Sequence, residues 1–190
     1  MKTSSVLYEN FEEITLEEIE EDNSGFSEKI CPEGNKVSMN EDEKMKVIAN
    51  HFEGIMQALG LDMNDDSLKG TPQRVAKMYV KEIFSGLTPK NEPNVTLFKN
   101  KYQYNKMLVE KGITLYSYCE HHFVPIIGKV HVGYISKGKV IGLSKINRLV
   151  QYYSKRPQVQ ERLTNEIAEG LKKAIGTEDV AVVIDAVHLC

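Results

Sequence analysis

The sequence has few cysteines, and their number limits the kind of protein it encodes. Three cysteines occur in 190 residues, so they cannot all pair within one chain, and they do not suggest a disulfide framework. Such usage is typical of a reducing compartment, where thiolates are available as metal ligands. We therefore expect a cytoplasmic protein in which Cys31 takes no part in the chemistry.

The chain also lacks a strong charge excess and a long apolar run. Its formal net charge is −3 and its pI is about 6.0, which argues against a general nucleic-acid or anionic-membrane binder. The first residues lack the apolar core of a signal peptide, and no later run is long enough to span a bilayer. These absences favour a small substrate, with neither nucleic acid nor membrane as a partner.

What is present is enough apolar sequence for one sizeable core. Hydrophobic residues make up 41% of the chain. Residues 1–38 are acidic and rich in Ser and Gly, which predicts a flexible extension; an arm that docks on a partner is the alternative. We predict that residues 39–110 form a helical region and that residues 111–190 form the catalytic core.

Two helices are predicted in the helical region. Asn40 and Glu43 form a capping-box pattern ahead of an apolar stripe at helical spacing, which indicates the first helix. Thr71 as N-cap, with Pro72 at the first helical position, begins the second helix, and Gly86 closes it.

The catalytic core combines strands with helices. The predicted segments, in chain order, are strands at 113–118 and 129–135, helices from Ser144 to about Tyr153 and from Pro157 to Gly176, and a strand from 180 to His188. Strands and helices in this order indicate an α+β fold.

Cysteine and histidine in this core form a metal-ligand pattern. On a straight strand Cys119 and His122 would point to opposite faces, so a shared metal requires a turn between them. His188 and Cys190 lie two residues apart on a predicted strand and share one face. Thiolate and imidazole suit zinc, and three such ligands leave a position for water, which points to hydrolysis. The alternative is a buried thiol beside an unrelated histidine.

A second pattern suits an anion. Gly142 and Ser144 stand at the start of a predicted helix, so free N–H groups together with Lys145 and Arg148 would face a phosphate. The alternative is an ordinary capped helix with solvated basic residues. Arg74 lies in the first turn of the second helix, where a cation opposes the helix dipole and invites a functional explanation.

Glu161 lies off the apolar stripe of the longer helix. Its carboxylate could accept two hydrogen bonds from the N1–H and amino group of a guanine. The alternative is a solvated helix glutamate, the commoner case for an isolated residue of this type.

Four ordered motifs together resemble the GTP cyclohydrolase I family, over about residues 40–190. They are Ser-Tyr-Cys-Glu-His-His at 117–122, Gly-Leu-Ser-Lys at 142–145, Arg-Pro-Gln-Val-Gln-Glu-Arg-Leu-Thr at 156–164 and Ala-Val-His-Leu-Cys at 186–190, joined by Thr-Pro-Gln-Arg at 71–74. The resemblance implies a T-fold (tunnelling fold), an antiparallel sheet with a helix pair, assembled as a homodecamer with active sites at subunit interfaces. It implies conversion of GTP and water to 7,8-dihydroneopterin triphosphate and formate, towards folate or tetrahydrobiopterin.

The resemblance also implies roles for individual residues. These are the zinc ligands Cys119, His122 and Cys190; the acid/base pair His121 and His188; the guanine-binding Glu161 with Gln160; and the triphosphate contacts Ser144, Lys145, Arg148 and Arg74. Zn²⁺ is therefore the expected cofactor.

The family continues past its last motif with a further arginine and a final strand, whereas this sequence ends at Cys190. We accordingly expect the sheet to lack that strand. Two alternatives stay open: a non-catalytic homologue that binds zinc or nucleotide, and another zinc hydrolase acting on a nucleobase. The deaminase pattern His-x-Glu with Pro-Cys-x-x-Cys is absent, which argues against a zinc deaminase.

Overall fold

A computed structural model describes residues 39–103 and 105–190. The predicted extension at 1–38, with Cys31, lies outside these residues. The elements are, in chain order, α1 (Glu41–Ala58), α2 (Thr71–Met78), β1 (Leu97–Lys99), β2 (Met107–Cys119), β3 (Pro125–Ile135), β4 (Lys139–Ile141), α3 (Leu143–Ser154), β5 (Pro157–Gln158), α4 (Gln160–Ile175) and β6 (Val180–His188). The α+β prediction is confirmed.

Helix α1 begins where the capping pattern predicts. The Asn40 side chain accepts a hydrogen bond from the Glu43 N–H at 3.0 Å, and the Glu43 carboxylate accepts one from the Asn40 N–H at 2.9 Å. These reciprocal bonds satisfy two N–H groups that have no partner within the helix.

Helix α2 differs from its prediction at both ends. Its N-cap is Gly70 and not Thr71, because Gly70 takes a left-handed φ of 78°, which glycine adopts without steric cost. The α-helix ends at Met78 and continues as a π-helical turn over Tyr79–Ile83. The expected single helix up to Gly86 is therefore wrong, and Gly86 lies within a short 3-10 turn, Ser85–Leu87, that follows.

Four strands form the main sheet in the order β5-β2-β3-β6. β2 and β3 pair antiparallel, β3 and β6 pair antiparallel, and β5 pairs parallel with the end of β2. The β2–β3 register shifts between Glu110 and Ile113, where Gly112 has a φ of 76°. A second, two-stranded sheet joins β1 and β4, two three-residue strands that the sequence pattern did not predict.

Helices α3 and α4 also begin differently from their predictions. The N-cap of α3 is Gly142, with no side-chain hydrogen bond at the cap, and Ser144 lies inside the helix, so the predicted start at Ser144 is one residue late. Pro157 does not begin α4: Pro157 and Gln158 pair with Tyr118 and Cys119 as β5, and the helix starts at Gln160. The pairing with β2 holds these two residues extended.

The core lies between the sheet and the helix pair α3 and α4. Leu163, Ile167 and Leu171 follow one another at helical spacing on α4 and have no exposed surface, as the apolar stripe predicts. On β2 the buried residues alternate with more exposed ones, and Cys119 is the last member of the buried series. Cys119 therefore ends β2 on the face that packs against the core.

Across the described residues, no helix combines the length and the apolar character that crossing a bilayer requires.

Candidate active site

The predicted turn after Cys119 is present. The chain leaves β2 at Cys119 and returns as β3 at Pro125, with the Cys119 N–H bonded to the Val124 carbonyl at 2.8 Å and the Phe123 N–H to the Cys119 carbonyl at 2.9 Å. Phe123 has a φ of 53°, in the left-handed region that a bulky residue rarely occupies. This turn brings Cys119 and His122, which a straight strand would separate, to one side.

The three predicted metal ligands converge. The ligand atoms of Cys119, His122 and Cys190 all lie within 4.8 Å of one another. The end of the chain is held in place by a hydrogen bond from the Leu189 N–H to the Pro125 carbonyl at 3.1 Å. Two sulfurs and one imidazole nitrogen form a donor set that suits a metal ion such as zinc. The three residues therefore constitute a possible metal site.

The surroundings of the Cys119 sulfur favour the thiolate, which is the form that binds a metal. The backbone N–H groups of His121 and His122 donate to its sulfur and lower the pKa of Cys119 to about 6. The pKa of Cys190 is raised, because its thiol shares a hydrogen bond with Cys119. At neutral pH the site thus holds a thiolate at Cys119, and a metal that also bound Cys190 would displace the proton of that second thiol.

The two predicted acid/base histidines flank the cluster. His121 Nδ1 lies 3.6 Å from the Cys119 sulfur, and its side chain is 64% exposed. His188 Nε2 lies 3.0 Å from Gln160 Oε1, while Gln160 Nε2 donates to the Ile184 carbonyl at 3.3 Å. Because that donor fixes the amide orientation, Oε1 accepts a hydrogen bond from His188 Nε2–H, and in this tautomer of the neutral ring Nδ1 keeps its lone pair.

Glu161 lies at the same end of the molecule. It is exposed in the first turn of α4, next to Gln160, where the partial positive charge of a helix N-terminus favours a carboxylate. The structure thus brings the guanine-binding candidates beside the metal-ligand candidates.

The phosphate candidates are elsewhere, because α3 lies alongside β2 and runs in the same direction. The contacts, in order along both elements, are Asn147 Nδ2 to Glu110 Oε1 at 2.7 Å, Gln151 Nε2 to the Thr114 carbonyl at 2.6 Å, and the Ser117 hydroxyl to the Ser154 carbonyl at 2.8 Å. The N-terminus of α3, with Ser144, Lys145 and Arg148, therefore lies beside the start of β2, whereas Cys119 ends it.

The separation between these two groups is large. The β3 partners of Glu110 and Tyr118 are Val132 and Pro125, which are seven residues apart because β2 bulges between Glu110 and Ile113. Cys119 follows Tyr118, so it lies about eight strand residues from Glu110. At about 3.3 Å per residue this is roughly 25 Å. One protomer does not bring its own Lys145 and its own metal cluster together.

Arg74 has a structural role that the sequence did not indicate. Its guanidinium donates to the Lys69 carbonyl at 3.1 Å, to the Ser67 carbonyl at 3.3 Å and to the Thr71 hydroxyl. These bonds close the loop ahead of α2 and account for a cation in the first turn of that helix. Among the described residues, no contact joins Arg74 to the cysteine and histidine cluster.

A polar group that no sequence pattern indicated lies behind the turn between Cys119 and Pro125, which we call the metal turn. The Arg162 guanidinium on α4 lies 2.5 Å from Glu120 Oε2, and it also bonds the side chain of Gln158 on β5 at 3.1 Å. Gln158 is fully buried. Glu120 and Arg162 are 42 residues apart, and no spacing rule connects them.

Comparison with known proteins agrees with this site. The family model described as GTP cyclohydrolase I matches residues 48–190. The chain is 63% identical over 150 residues to GTP cyclohydrolase 1 of Flavobacterium johnsoniae, which is 79% of this chain and 67% of the relative. It is 57% identical over 152 residues to the enzyme of that name from Erwinia tasmaniensis, covering 80% and 69%. The corresponding figures for Escherichia coli are 56% over 152 residues, 80% and 68%.

Proposed function

Since the chain belongs to the GTP cyclohydrolase I family, we propose that its cysteine and histidine cluster is the zinc centre at which GTP is hydrolysed. The chain is a GTP cyclohydrolase I, and the family catalyses the first step of folate synthesis. The reaction converts GTP and water to 7,8-dihydroneopterin triphosphate and formate. The observation that carries the proposal is the convergence of Cys119, His122 and Cys190 beside His188.

The donor set fits zinc. With Zn–N and Zn–S bonds of about 2.1 and 2.3 Å, tetrahedral ligand atoms lie about 3.5–3.8 Å apart. The Cys119 sulfur and His122 Nδ1 are 4.0 Å apart, so small side-chain rotations suffice. When bound, zinc lowers the pKa of a water ligand and thereby supplies a nucleophile at neutral pH for addition to C8 of the purine.

The proton transfers belong to residues of the chain itself. Because Nε2–H is bonded to Gln160, Nδ1 is the ring nitrogen of His188 that faces the reaction: when the ring is doubly protonated, Nδ1–H can give its proton to N7 of the purine, which leaves the neutral ring. His121, exposed beside Cys119, is the second member of the proposed acid/base pair. Protonation at N7 allows the five-membered ring to open, after which formate leaves.

Guanine recognition is assigned to Glu161 with Gln160. A carboxylate that accepts from N1–H and the amino group distinguishes guanine from adenine, which lacks both donors in that arrangement. The exposure of Glu161 at the start of α4 leaves its carboxylate open to such a ligand.

The triphosphate contacts require a second copy of the chain. Ser144, Lys145 and Arg148 lie at the end of α3 that is beside the start of β2, and on that strand Glu110 is roughly 25 Å from Cys119 by strand spacing. In a symmetric assembly the α3 N-terminus of one protomer can meet the cluster of another. We assign Arg74 to the same triphosphate site, and a homodecamer of T-folds to the whole.

Other predictions stay proposals. We also propose the division into an N-terminal region at 39–110, which holds α1 and α2 but also β1 and the start of β2, and a catalytic core at 111–190. A cytoplasmic location is proposed as well, because the use of cysteine favours it.

Formate release from GTP, measured together with the zinc content of the purified chain, tests the proposal. We expect close to one zinc per chain, and loss of both zinc and formate release in Cys119→Ala. Zinc and GTP binding without formate would indicate a non-catalytic homologue. Hydrolysis of another nucleobase with GTP untouched would indicate a different zinc hydrolase. Full zinc retention in Cys119→Ala would show that the ligands are wrongly assigned.

A further inference from the structure

Arg162 is held more firmly than its position on a helix surface requires. Its NH2 group donates to Glu120 Oε2 at 2.5 Å and to the Pro157 carbonyl at 2.9 Å, and its Nε donates to Gln158 Oε1 at 3.1 Å. Three acceptors on two segments therefore fix the plane of the guanidinium. Its side chain is 23% exposed, so solvent competes for these bonds only in part.

The support behind Arg162 is itself fixed. Gln158 has no exposed surface, and its Nε2 donates to the Tyr153 carbonyl at 3.0 Å and to Glu166 Oε2 at 2.9 Å. These two bonds determine which way the amide points and direct Oε1 at Arg162. The guanidinium thus rests on a buried polar group that cannot rotate without losing bonds.

On its other side, Arg162 contacts the turn between Cys119 and Pro125, which carries the metal-ligand candidates. Glu120 stands between Cys119 and His121, and its N–H donates to the Gln158 carbonyl at 3.0 Å. Its second carboxylate oxygen lies 3.8 Å from His121 Nε2. Arg162 therefore holds the residue that separates a metal-ligand candidate from an acid/base candidate.

This turn needs external support because it contains an unfavourable backbone conformation. Phe123 has a φ of 53°, and such conformations persist where surrounding contacts hold them. Phe84 packs edge-on against Phe123, with ring centroids 5.3 Å apart, and supports the far side of the turn. The near side is supported through Glu120.

We propose that Arg162 is a positioning residue, which through Glu120 keeps Cys119 and His122 converged on the metal and directs His121 towards the substrate. The inference rests on the proposed function, because it assumes that the cluster binds zinc. It requires the forked shape of the guanidinium: a lysine ammonium is a single point charge and cannot reach Glu120, the Pro157 carbonyl and Gln158 in the same arrangement.

The test compares three variants of the full chain: Arg162→Met, Arg162→Lys and Lys172→Met. Lys172 is a matched control on the same helix, 27% exposed and paired with Glu169 at 2.8 Å, but ten residues away from Arg162. Zinc affinity is measured by competition with a chromophoric chelator, and ligand geometry by the absorption spectrum of the Co²⁺ form. Thermal unfolding, kcat and KM are measured on the same samples.

We expect Arg162→Met to weaken zinc affinity about 10–100-fold, the range found when a partner that orients metal ligands is removed. The Co²⁺ spectrum should change and kcat should fall more than KM rises. Arg162→Lys should restore little of the affinity, and Lys172→Met should leave affinity, spectrum and kcat unchanged. A melting temperature lowered by Arg162→Met, with zinc affinity within twofold and an unchanged spectrum, would overturn the proposal and leave Arg162 a structural role.

A second variant covers the case in which Arg162→Met does not fold. Glu120→Gln keeps the shape of the side chain and removes the charge that Arg162 binds, so it should also weaken zinc affinity and alter the Co²⁺ spectrum. Unchanged affinity and spectrum in Glu120→Gln would contradict the inference. Absence of zinc binding and formate release in the unmodified chain would instead contradict the proposed function.

Discussion

A mixing experiment follows from the separation of the two halves of the site. Cys119→Ala removes a ligand of the proposed metal half and Lys145→Ala a contact of the proposed phosphate half, and each variant alone should lose most of its formate release. Lys145 lies beside the start of β2 and Cys119 at its end, so in the proposed site a nucleotide that contacts both residues bridges two protomers. Assemblies that contain both variants should therefore include intact sites.

The expected yield can be calculated. In a random one-to-one assembly each half of a site is intact with a probability of one half, so about a quarter of the sites have both halves intact. A chain carrying both substitutions, mixed one-to-one with the unmodified chain, should also give about a quarter of the normal activity by the same statistics. If each site belonged to one protomer, the first mixture would give no restored activity and the second about half.

The assay is formate release per chain from co-expressed, differently tagged copies purified through both tags. Zinc content provides an internal check, because only chains with Cys119 should hold metal. Activity in the first mixture no higher than in its parents, with activity near one half in the second, would refute the two-protomer site. Equal activity near a quarter in both would support it.

Three further predictions concern single residues. Gly128→Ala should cost about 1–3 kcal/mol of stability and also lower zinc content, because the new Cβ would lie 2.1 Å from the Asp185 carbonyl and push β6 from β3. The control Gly54→Ala has open space and should not destabilise the protein. Equal melting temperatures for the two variants would contradict the packing argument. Glu161→Ala should weaken GTP binding by about 1–3 kcal/mol with zinc unchanged, and an unaltered preference for GTP over ATP in a calorimetric titration would rule out the assigned guanine contact. Lys81 and Lys90 hold the pKa of Glu41 at about 2, below its usual 4.5. The stabilising effect of the Glu41 carboxylate is therefore present above pH 4.5 and lost as the pH falls towards 2. Glu41→Gln should reduce the slope of the unfolding free energy against pH in that window, and an identical slope in urea titrations would show that these ion pairs do not contribute.

Much of the fold could be predicted because the signals are local. The capping box of Asn40 and Glu43, the apolar stripe of α4 and the β-branched run of β6 each depend on residues within a few positions of one another. One error occurred where a distant segment decided the outcome. Pro157 favours a helix start by its own conformation, yet pairing with Tyr118 on β2 makes it a strand residue.

For the candidate site, too, the local sequence and the tertiary structure determined different features. The sequence by itself determined which side chains can bind a metal, a proton, guanine or phosphate, because ligand chemistry belongs to the residue type. Only the tertiary structure decided that Cys119, His122 and Cys190 converge and that Lys145 lies beside the start of β2, away from Cys119 at its end. Such relations depend on strand register and helix packing between residues far apart in the chain, which no local spacing encodes. The contact between Glu120 and Arg162, 42 residues apart, arises in the same way.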